Sequence, residues 1–550
     1  MRRLLALLCL ILLVSCGGEG QQAGSDKPIP APIRPDAEKT IRVNLASNPR
    51  TIDPTLVTDL VGSIALGSLM EPLVANDPDG KLVPRAAESW SHDESFRTWT
   101  FKLRKDAKWH NGDPVVAGDF VYAIERILTP EVKAQYATYV KGFLKDGNEY
   151  YAAGGMKGNV PLTSVEAVDD HTLRYHLLNP TPYFISVVQL FSWLPLNRSV
   201  VEKHGDGWAN SPETFVGNGP YKLTSMRAND MIVGTKADTY WNKSELYWDR
   251  VELYMIENET TENGAFLAGE LDVTMNVSIP ELDFWMPRPE FRMYRFFGTQ
   301  YLNTNHRRAP FNDVRVRKAF SLAIDREHLV KRVTRRNEYV AKGIVPSPLT
   351  SVRGGDWRDH AADYVGGYNP ELARKLLAEA GYGPGGKPFP AIEYMYNTSE
   401  ENKAIAEQLQ AMWKETLGID VRLQNVEFGV RQSRAQAGDF DIALSNWYGD
   451  YLDAMTFLEL FIGDSTYNVS AYKSPAFDTF IKQARVEENQ IKREGLMVEA
   501  EKTMIADDMA IIPLYYMSRP ILVREDIQGV ARELTGGLIY IYSKRAAPTK

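Results

Sequence analysis

Cysteine is almost absent from this chain, which has 550 residues and two cysteines, Cys9 and Cys16. Two such residues cannot build a disulfide framework or a cysteine metal cluster. The eight histidines are scattered, and none stands at a ligand spacing such as H-E-x-x-H. The sequence therefore predicts no metal site and no cofactor.

Catalytic motifs are missing as well. The sequence contains no G-x-S-x-G, no Walker A loop and no G-x-G-x-x-G followed by an acid. One S-x-x-K occurs at residues 470–473, but the S-D-N and K-T-G motifs of penicillin-recognising enzymes do not accompany it, which favours a chance match. We therefore expect a protein that is not an enzyme and has no catalytic residues. The alternative is a secreted hydrolase of unknown type.

Long apolar runs and an excess of positive charge are also lacking. No run reaches the length of about 20 residues that spans a bilayer. The chain has 63 basic and 71 acidic residues and a net charge of −8, which argues against nucleic acid and an electrostatic membrane surface as partners. The length is sufficient for two or three domains.

The first 35 residues differ in composition from the rest. Two arginines precede an apolar run over residues 4–14, which is typical of a signal peptide. The run ends in LVSC, which is similar to a bacterial lipobox and would make Cys16 the lipidated N-terminus. We expect residues 1–15 to be a lipoprotein signal peptide and the Gly/Pro-rich residues 16–35 to be a flexible tether. The alternative is an ordinary signal peptide with a chance cysteine.

Segments with the patterns of strands and helices alternate in the body of the chain. In RTWTFKLR (97–104) apolar and polar side chains alternate as in a half-buried strand, and HTLRYHLL (171–178) repeats the pattern. NPELARKLLAEAG (369–381) is typical of a helix that is capped by Asn369 and followed by Gly381. The sequence therefore predicts a mixed α/β fold.

A parallel strand–helix–strand unit is predicted further along the chain. Strands over 391–397 and 419–423 flank a helix, and the next strand, 441–447, leads into NWYGDYLD. In that stretch Asp450 stands among aromatic residues, where an acid loses hydration and needs a cationic partner or a raised pKa. Ligands of open α/β sheets lie beyond the carboxyl ends of strands, so Asp450 is a candidate ligand-binding residue. The alternatives are a structural pair with an arginine of this chain and a turn-capping role.

Several stretches, in order along the chain, resemble the periplasmic oligopeptide-binding proteins of bacterial ABC importers, within extracellular solute-binding protein family 5. They are WTFKLRKDAKWHNGDPVVAGDFVYAIERI (99–127), NGPYKL (218–223), AGELDV (268–273), APFNDVRVRKAFSLAIDRE (309–327), YNTSE (396–400) and YKSPAFD (472–478). The similarity extends from about Thr40 to the C-terminus. It implies an α/β, two-lobed periplasmic-binding-protein fold that closes by hinge motion and has an additional third domain.

The resemblance also implies how the body is divided. Lobe I would combine residues 36–70, 196–297 and 518–550, extra domain II would be residues 71–195, and lobe III would be residues 298–517. The two hinge crossings would lie near Gly298 and Ser518.

In the resembling proteins the acid of a W-x-x-D-Y stretch binds the free α-amino group of a peptide. Trp447, Asp450 and Tyr451 match this stretch. A carrier of mixed peptides must recognise what all peptides share, which is an ammonium group, a carboxylate and a backbone that can be added to a sheet edge. The resemblance places Ser445 and Leu60 in the segments that supply this backbone ladder.

Two further residues, Tyr301 and Trp413, match positions near the ligand in the resembling proteins. The predicted helix between the parallel strands also carries Trp413 on its apolar face, together with Ile405 and Leu409. Core packing is therefore the favoured interpretation of Trp413.

The chain departs from the enteric relatives where those proteins bind the distal carboxylate. Leu444 stands in place of an arginine and Asn402 in place of a histidine, whereas Arg308 replaces a lysine and keeps the charge. The single retained cation predicts a preference for dipeptides or other short peptides over tetrapeptides, or a ligand without a distal carboxylate. The alternative is that Arg307 or Arg308 pairs with a nearby acid such as Asp313.

These observations predict a monomeric solute-binding protein of the cell envelope or periplasm, anchored by lipidated Cys16. It would capture short peptides by their termini and backbone and deliver them to an inner-membrane ABC permease with cytoplasmic ATPases. One alternative keeps the fold and changes the ligand to a metal chelate, haem, an opine or a sugar. Others are an envelope chaperone or a murein-peptide recycler.

Overall fold

The computed structural model describes residues 39–383, 385–463 and 465–546. The predicted signal peptide and tether, including Cys16, lie outside these residues. Within the described part of the chain, no helix is both long and apolar enough to cross a bilayer.

The strands of the described residues are numbered in chain order. They are β1 Thr40–Asn44, β2 Val74–Asn76, β3 Leu82–Pro84, β4 Ala87–His92, β5 Thr98–Leu103, β6 Val165–Asp169, β7 Thr172–His176, β8 Tyr221–Arg227, β9 Met231–Lys236, β10 Arg250–Tyr254, β11 Phe291–Thr304, β12 Tyr339–Val340, β13 Ile392–Asn397, β14 Val421–Val426, β15 Ile442–Tyr448, β16 Ile511–Leu522, β17 Ile527–Gln528, β18 Ala531–Arg532, β19 Leu538–Ile539 and β20 Lys544–Arg545.

The α-helices are numbered in the same way. They are α1 Leu60–Leu69, α2 Ala117–Ile127, α3 Ala137–Phe143, α4 Gly147–Ala152, α5 Phe184–Val187, α6 Arg198–His204, α7 Glu259–Leu267, α8 Leu282–Trp285, α9 Val314–Leu322, α10 Arg326–His328, α11 Pro370–Glu379, α12 Glu400–Leu417, α13 Phe428–Gln436, α14 Met455–Leu458, α15 Pro475–Val486 and α16 Gln490–Lys502.

Three sheets of four or more strands organise the described residues, beside three two-stranded sheets. One has the strand order β1-β10-β9-β8, a second has β4-β5-β7-β6, and a six-stranded sheet has β12-β16-β11-β15-β13-β14. The predicted half-buried strand is confirmed in β5, where Trp99, Phe101 and Leu103 are buried. The predicted strand–helix–strand unit is also confirmed, because β13 and β14 are parallel and α12 connects them.

The two longest strands, β11 and β16, pair in antiparallel fashion and connect the six-stranded sheet to the sheet that contains β1. At the end of β16, Leu522 exchanges hydrogen bonds with Thr274, and the adjoining Val273 bridges to Val43 of β1. The β11–β16 register shifts between Arg295 and Thr299, so that the intervening residues form a bulge. The hinge crossings predicted near residues 298 and 518 fall at this irregularity. The division of the chain into lobes stays a prediction.

Gly298 lies within the bulge and faces the neighbouring strand β15. A Cβ atom at Gly298 would lie 3.0 Å from the Tyr448 ring and 3.1 Å from the Trp447 carbonyl oxygen. A side chain would therefore push β11 and β15 apart immediately before β15 ends.

Candidate ligand-binding site

A cleft of about 1020 Å³ lies beside the end of β15. Its walls come from the start of α1, the loop after β15, helix α13, strands β11 and β16, and the 532–539 segment. Small-molecule pockets commonly measure about 300–1,000 Å³, so this cleft has room for a ligand of several residues.

One edge of β15 is open towards this cleft. Strand β15 pairs with β11 from Ile442 to Tyr448, but with β13 only at Ile442 and Ala443. Residues 444–448 therefore have no strand partner on the β13 side among the described residues. Such an edge offers unpaired N–H and C=O groups to an extended chain.

The hydrogen bonds that flank β15 show which of its residues face the open edge. Gly449 donates from its backbone N–H to the Phe297 carbonyl (2.7 Å), and Asn305 donates to the Asp441 carbonyl (3.0 Å). Because bonded and non-bonded pairs alternate in an antiparallel ladder, the odd-numbered residues of β15 bond to β11. The backbone groups of Asn446 and Tyr448 therefore face the cleft, whereas those of Ser445 are used by β11.

Asp450 follows the open edge directly and lines the cleft. Its backbone N–H donates to Thr456 Oγ1 (3.1 Å), and Tyr136 donates from its hydroxyl to Asp450 Oδ1 (3.4 Å). Among the described residues, no lysine or arginine lies within 4 Å of its carboxylate. The alternative of a structural pair between Asp450 and an arginine is therefore not seen here.

Burial dominates the electrostatics of Asp450. It raises the pKa of this carboxyl to about 7, with a further rise from the Glu459 carboxylate and a smaller opposing effect of the Tyr136 hydrogen bond. Ionised Asp450 is thus poorly compensated by the described protein groups. A cation in the cleft would supply the missing compensation.

Gly449 allows Asp450 to take this position. A Cβ atom at Gly449 would lie 2.3 Å from the Phe297 ring. Any side chain there would displace the loop that carries Asp450, which explains the small residue between Tyr448 and the acid.

Asp453, three residues later, is surrounded differently. Arg493 donates to both of its oxygens, at 2.7 and 2.8 Å, and Asp453 Oδ1 also accepts from the Met455 N–H (2.9 Å). The side chain of Arg493 is buried and its guanidinium lies 5.0 Å from the Tyr183 ring centre. Asp453 therefore has a structural partner and is not available to a ligand.

The two aromatic residues of the W-x-x-D-Y stretch face different surroundings. Trp447 lines the cleft and packs edge-on against Tyr467, with a centroid separation of 5.3 Å. Tyr451 is 1 % exposed, stacks on Tyr183 at 4.7 Å and donates from its hydroxyl to Glu459 Oε1 (2.8 Å). Trp447 is thus accessible from the cleft, whereas Tyr451 is buried and does not line it.

Leu60, Ser445 and Tyr301 occupy different depths. Leu60 opens helix α1 and lines the cleft. Ser445 is buried and accepts from Asn303 Nδ2 (2.8 Å), while Tyr301, directly opposite on β11, packs edge-on against Phe461. Neither Ser445 nor Tyr301 is among the residues that line the cleft, because their side chains lie beneath it.

Trp413 and Asn402 are not brought to the cleft either. Trp413 is fully buried and donates from Nε1 to the Phe320 carbonyl (3.1 Å), as expected for the apolar face of α12. Asn402 lies in the first turn of α12, where its Nδ2 donates to the Asn397 carbonyl (3.0 Å). The resemblance named both as ligand residues, and the structure gives both a role within the fold.

Arg308 is also held away from the described cleft. Its guanidinium lies 3.4 Å from Asp439 and 3.7 Å from Asp441, and its side chain is 45 % exposed. Both acids precede β15, at the opposite end of the strand from Asp450. The expected alternative partner Asp313 instead pairs with Arg315 (2.6 Å).

Sequence reasoning missed three arginines that line the cleft, Arg431, Arg519 and Arg532. Helical spacing was the available signal for Arg431, since Phe428, Arg431 and Ala435 share one face of α13.

Within the described residues, no group of three or more His, Cys, Asp or Glu side chains could hold a metal ion.

Sheets joined by a long strand pair, with a large cleft beside the joining strands, define an α/β solute-binding protein of the periplasmic-binding type. The chain belongs to the bacterial extracellular solute-binding proteins, family 5. The profile of the middle region of this family matches residues 81–468.

Individual relatives and solved structures agree with this family. The chain is 34 % identical over 535 residues to the dipeptide-binding protein DppE of Bacillus subtilis, covering 97 % of this chain and 96 % of the relative. It is 33 % identical to the periplasmic oligopeptide-binding protein OppA of Escherichia coli, covering 91 % of each. The crystal structure of Haemophilus influenzae OppA in complex with the peptide RPPGFSPFR matches with a TM-score of 0.75 and 31 % identity, covering 92 % of this chain and 99 % of that one.

Proposed function

We propose that this protein is the peptide-binding component of an ABC importer and that Asp450 binds the free α-amino group of the peptide. The observation that carries this proposal is a cleft-lining carboxylate that has no cationic partner within 4 Å among the described residues. The proposal is supported by relatives whose names state dipeptide and oligopeptide binding.

The open edge of β15 supplies the second part of the recognition. Asn446 and Tyr448 offer backbone donors and acceptors to an extended ligand, and Trp447 and Leu60 supply apolar contact. Backbone addition does not depend on ligand side chains, so the same edge accepts peptides of many sequences. An ammonium group at Asp450 then fixes where the peptide begins.

The remaining parts of the proposal concern the setting of the protein. Cys16 would carry a lipid, and residues 16–35 would tether a monomeric body to the membrane surface. Lobes I and III would close on the peptide through the bulged β11–β16 pair and present it to a permease with cytoplasmic ATPases.

The test is to denature the purified protein and identify the released ligand by mass spectrometry. We expect a mixture of short peptides with free N-termini. Calorimetry should then show that N-acetylated peptides bind far more weakly than the same peptides with a free amino group. A single copurified non-peptide species, together with no detectable peptide binding, would contradict the proposal.

A further inference from the structure

Arg431 lies at the far end of the open edge of β15. Its side chain comes from α13, lines the cleft and is 8 % exposed. Nη1 donates to the Leu444 carbonyl oxygen (2.8 Å) and to Ser445 Oγ (3.4 Å). The open edge thus runs from Asp450 past Tyr448 and Asn446 and ends at a guanidinium group.

The charge of Arg431 is not balanced by the fold. Among the described residues, no carboxylate lies within 4 Å of its guanidinium, and its Nε is buried without a hydrogen-bond partner. The guanidinium lies 5.2 Å from the centre of the Phe428 ring. Burial of a cation without an anion is costly, so this position favours a bound anion.

The other cleft arginines are already engaged. Arg519 donates to the Tyr448 hydroxyl (3.2 Å) and interacts electrostatically with Glu401 and Glu259. Arg532 donates to the carbonyl oxygens of Gly536 (3.2 Å) and Met275 (2.9 Å). Arg532 has a buried Nε without a hydrogen-bond partner, as Arg431 does, so the two differ in position. Arg431 lies beside Leu444, at the far end of the open edge from Asp450, and is therefore the cleft cation best placed for the distal end of a ligand.

We propose that Arg431 binds the C-terminal carboxylate of the peptide whose ammonium group lies at Asp450. This inference rests on the proposed function and names the second end of the same site. From α13, the Arg431 guanidinium contacts the backbone carbonyl of Leu444. A cation therefore lies beside position 444, even though the Leu444 side chain is apolar and buried. Arg308, which the resemblance favoured for this role, is occupied by Asp439 and Asp441.

The spacing of the two charges sets the length of the peptide. Asp450 lies six positions after Leu444, which corresponds to about 20 Å of extended chain at about 3.3 Å per residue. A contact of about 3 Å at each end leaves about 14 Å for the ligand. An extended peptide covers this distance with about four residues, so tri- and tetrapeptides fit and dipeptides cannot reach both ends.

The experiment is calorimetric titration of di- to hexapeptides, each as the free acid and as the C-terminal amide. The wild-type protein should bind tri- and tetrapeptide acids about 10- to 100-fold more tightly than their amides. Arg431→Gln should bind the peptide acids and their amides equally, and Arg431→Lys should keep part of the preference for the acids. The matched control is Arg434→Gln, one turn further along α13, because Arg434 pairs with Asp439 (2.9 Å) and Glu393 (3.1 Å).

Three results would overturn the inference. The first is equal binding of acids and amides by the wild-type protein. The second is an equal loss for acids and amides in Arg431→Gln, which would mean that Arg431 only supports the backbone at Leu444. The third is that no peptide binds in either form, in which case the proposed function fails first and the inference falls with it.

Discussion

Two aspartates on one loop, Asp450 and Asp453, have opposite surroundings. Asp453 has both oxygens bonded to Arg493, and the Met455 N–H shares one of them. Asp450 lines the cleft and receives one long hydrogen bond from Tyr136. The comparison separates an acid that the fold uses from an acid that the fold leaves for a ligand.

The same contrast exists among the arginines. Arg493 and Arg431 are both buried, but Arg493 has a carboxylate partner and Arg431 has none within 4 Å among the described residues. Arg308 has two acids near it and is exposed. A buried charge that the chain leaves unpaired at a cleft is a stronger sign of ligand binding than a matching residue type alone.

The largest effect is expected on stability, when the buried ion pair between Asp453 and Arg493 is broken. Asp453→Asn should lower the free energy of unfolding by about 3–5 kcal/mol, because Arg493 would remain buried without its counter-charge. Chemical denaturation followed by circular dichroism would measure the loss.

Asp450→Asn is the matched control for that measurement. A carboxyl whose pKa is raised on folding is destabilised as an anion, so wild type should lose stability relative to Asp450→Asn as the pH rises from about 4 to about 7. Equal destabilisation by Asp450→Asn and Asp453→Asn at pH 8 would remove the distinction between the two acids.

The next effect concerns binding. Asp450→Asn should weaken the binding of peptides with free N-termini by about 2–5 kcal/mol, which is roughly 30- to several thousand-fold in affinity. The ligand ammonium group loses its buried counter-charge in this variant. Calorimetry with a tripeptide and its N-acetylated form would measure it. The acetylated form should bind both proteins equally weakly, and a clear preference of the variant for the free form would contradict the assignment.

A pH dependence follows from the same carboxyl. Burial raises the pKa of Asp450 to about 7, and a bound ammonium group would lower it again by stabilising the anion. Affinity should therefore fall as the pH drops below about 7, by up to about tenfold per pH unit, and a proton should be released on binding at pH 6. Titration in two buffers of different ionisation enthalpy would count this proton, and Asp450→Asn should abolish it.

Local patterns in the sequence were sufficient for much of the fold. Alternating apolar residues identified β5, and the capping pattern at Asn369 identified α11, because both signals depend on neighbours in the chain. The surroundings of Asp450 could not be predicted in this way, since Tyr136 is 314 positions distant. Arg431 was missed because its available signal was only the helical spacing that it shares with Phe428 and Ala435, and such a face is normally recognised by apolar residues rather than by a cation.

The smallest effect is expected at Arg308, where the structure and the resemblance disagree. Arg308→Ala should change the free energy of unfolding by about 0–1 kcal/mol, since its ion pair with Asp439 is exposed. It should leave dipeptide and tetrapeptide affinity unchanged, because Arg308 is not among the residues that line the cleft. Calorimetry of the same peptides with Arg308→Ala and Arg431→Gln would decide between the two cations. A selective loss of dipeptide binding in Arg308→Ala would instead place the carboxylate of dipeptides at Arg308, at the opposite end of β15 from Asp450. The ammonium group of a dipeptide could then not lie at Asp450, so both charge assignments would fail for dipeptides.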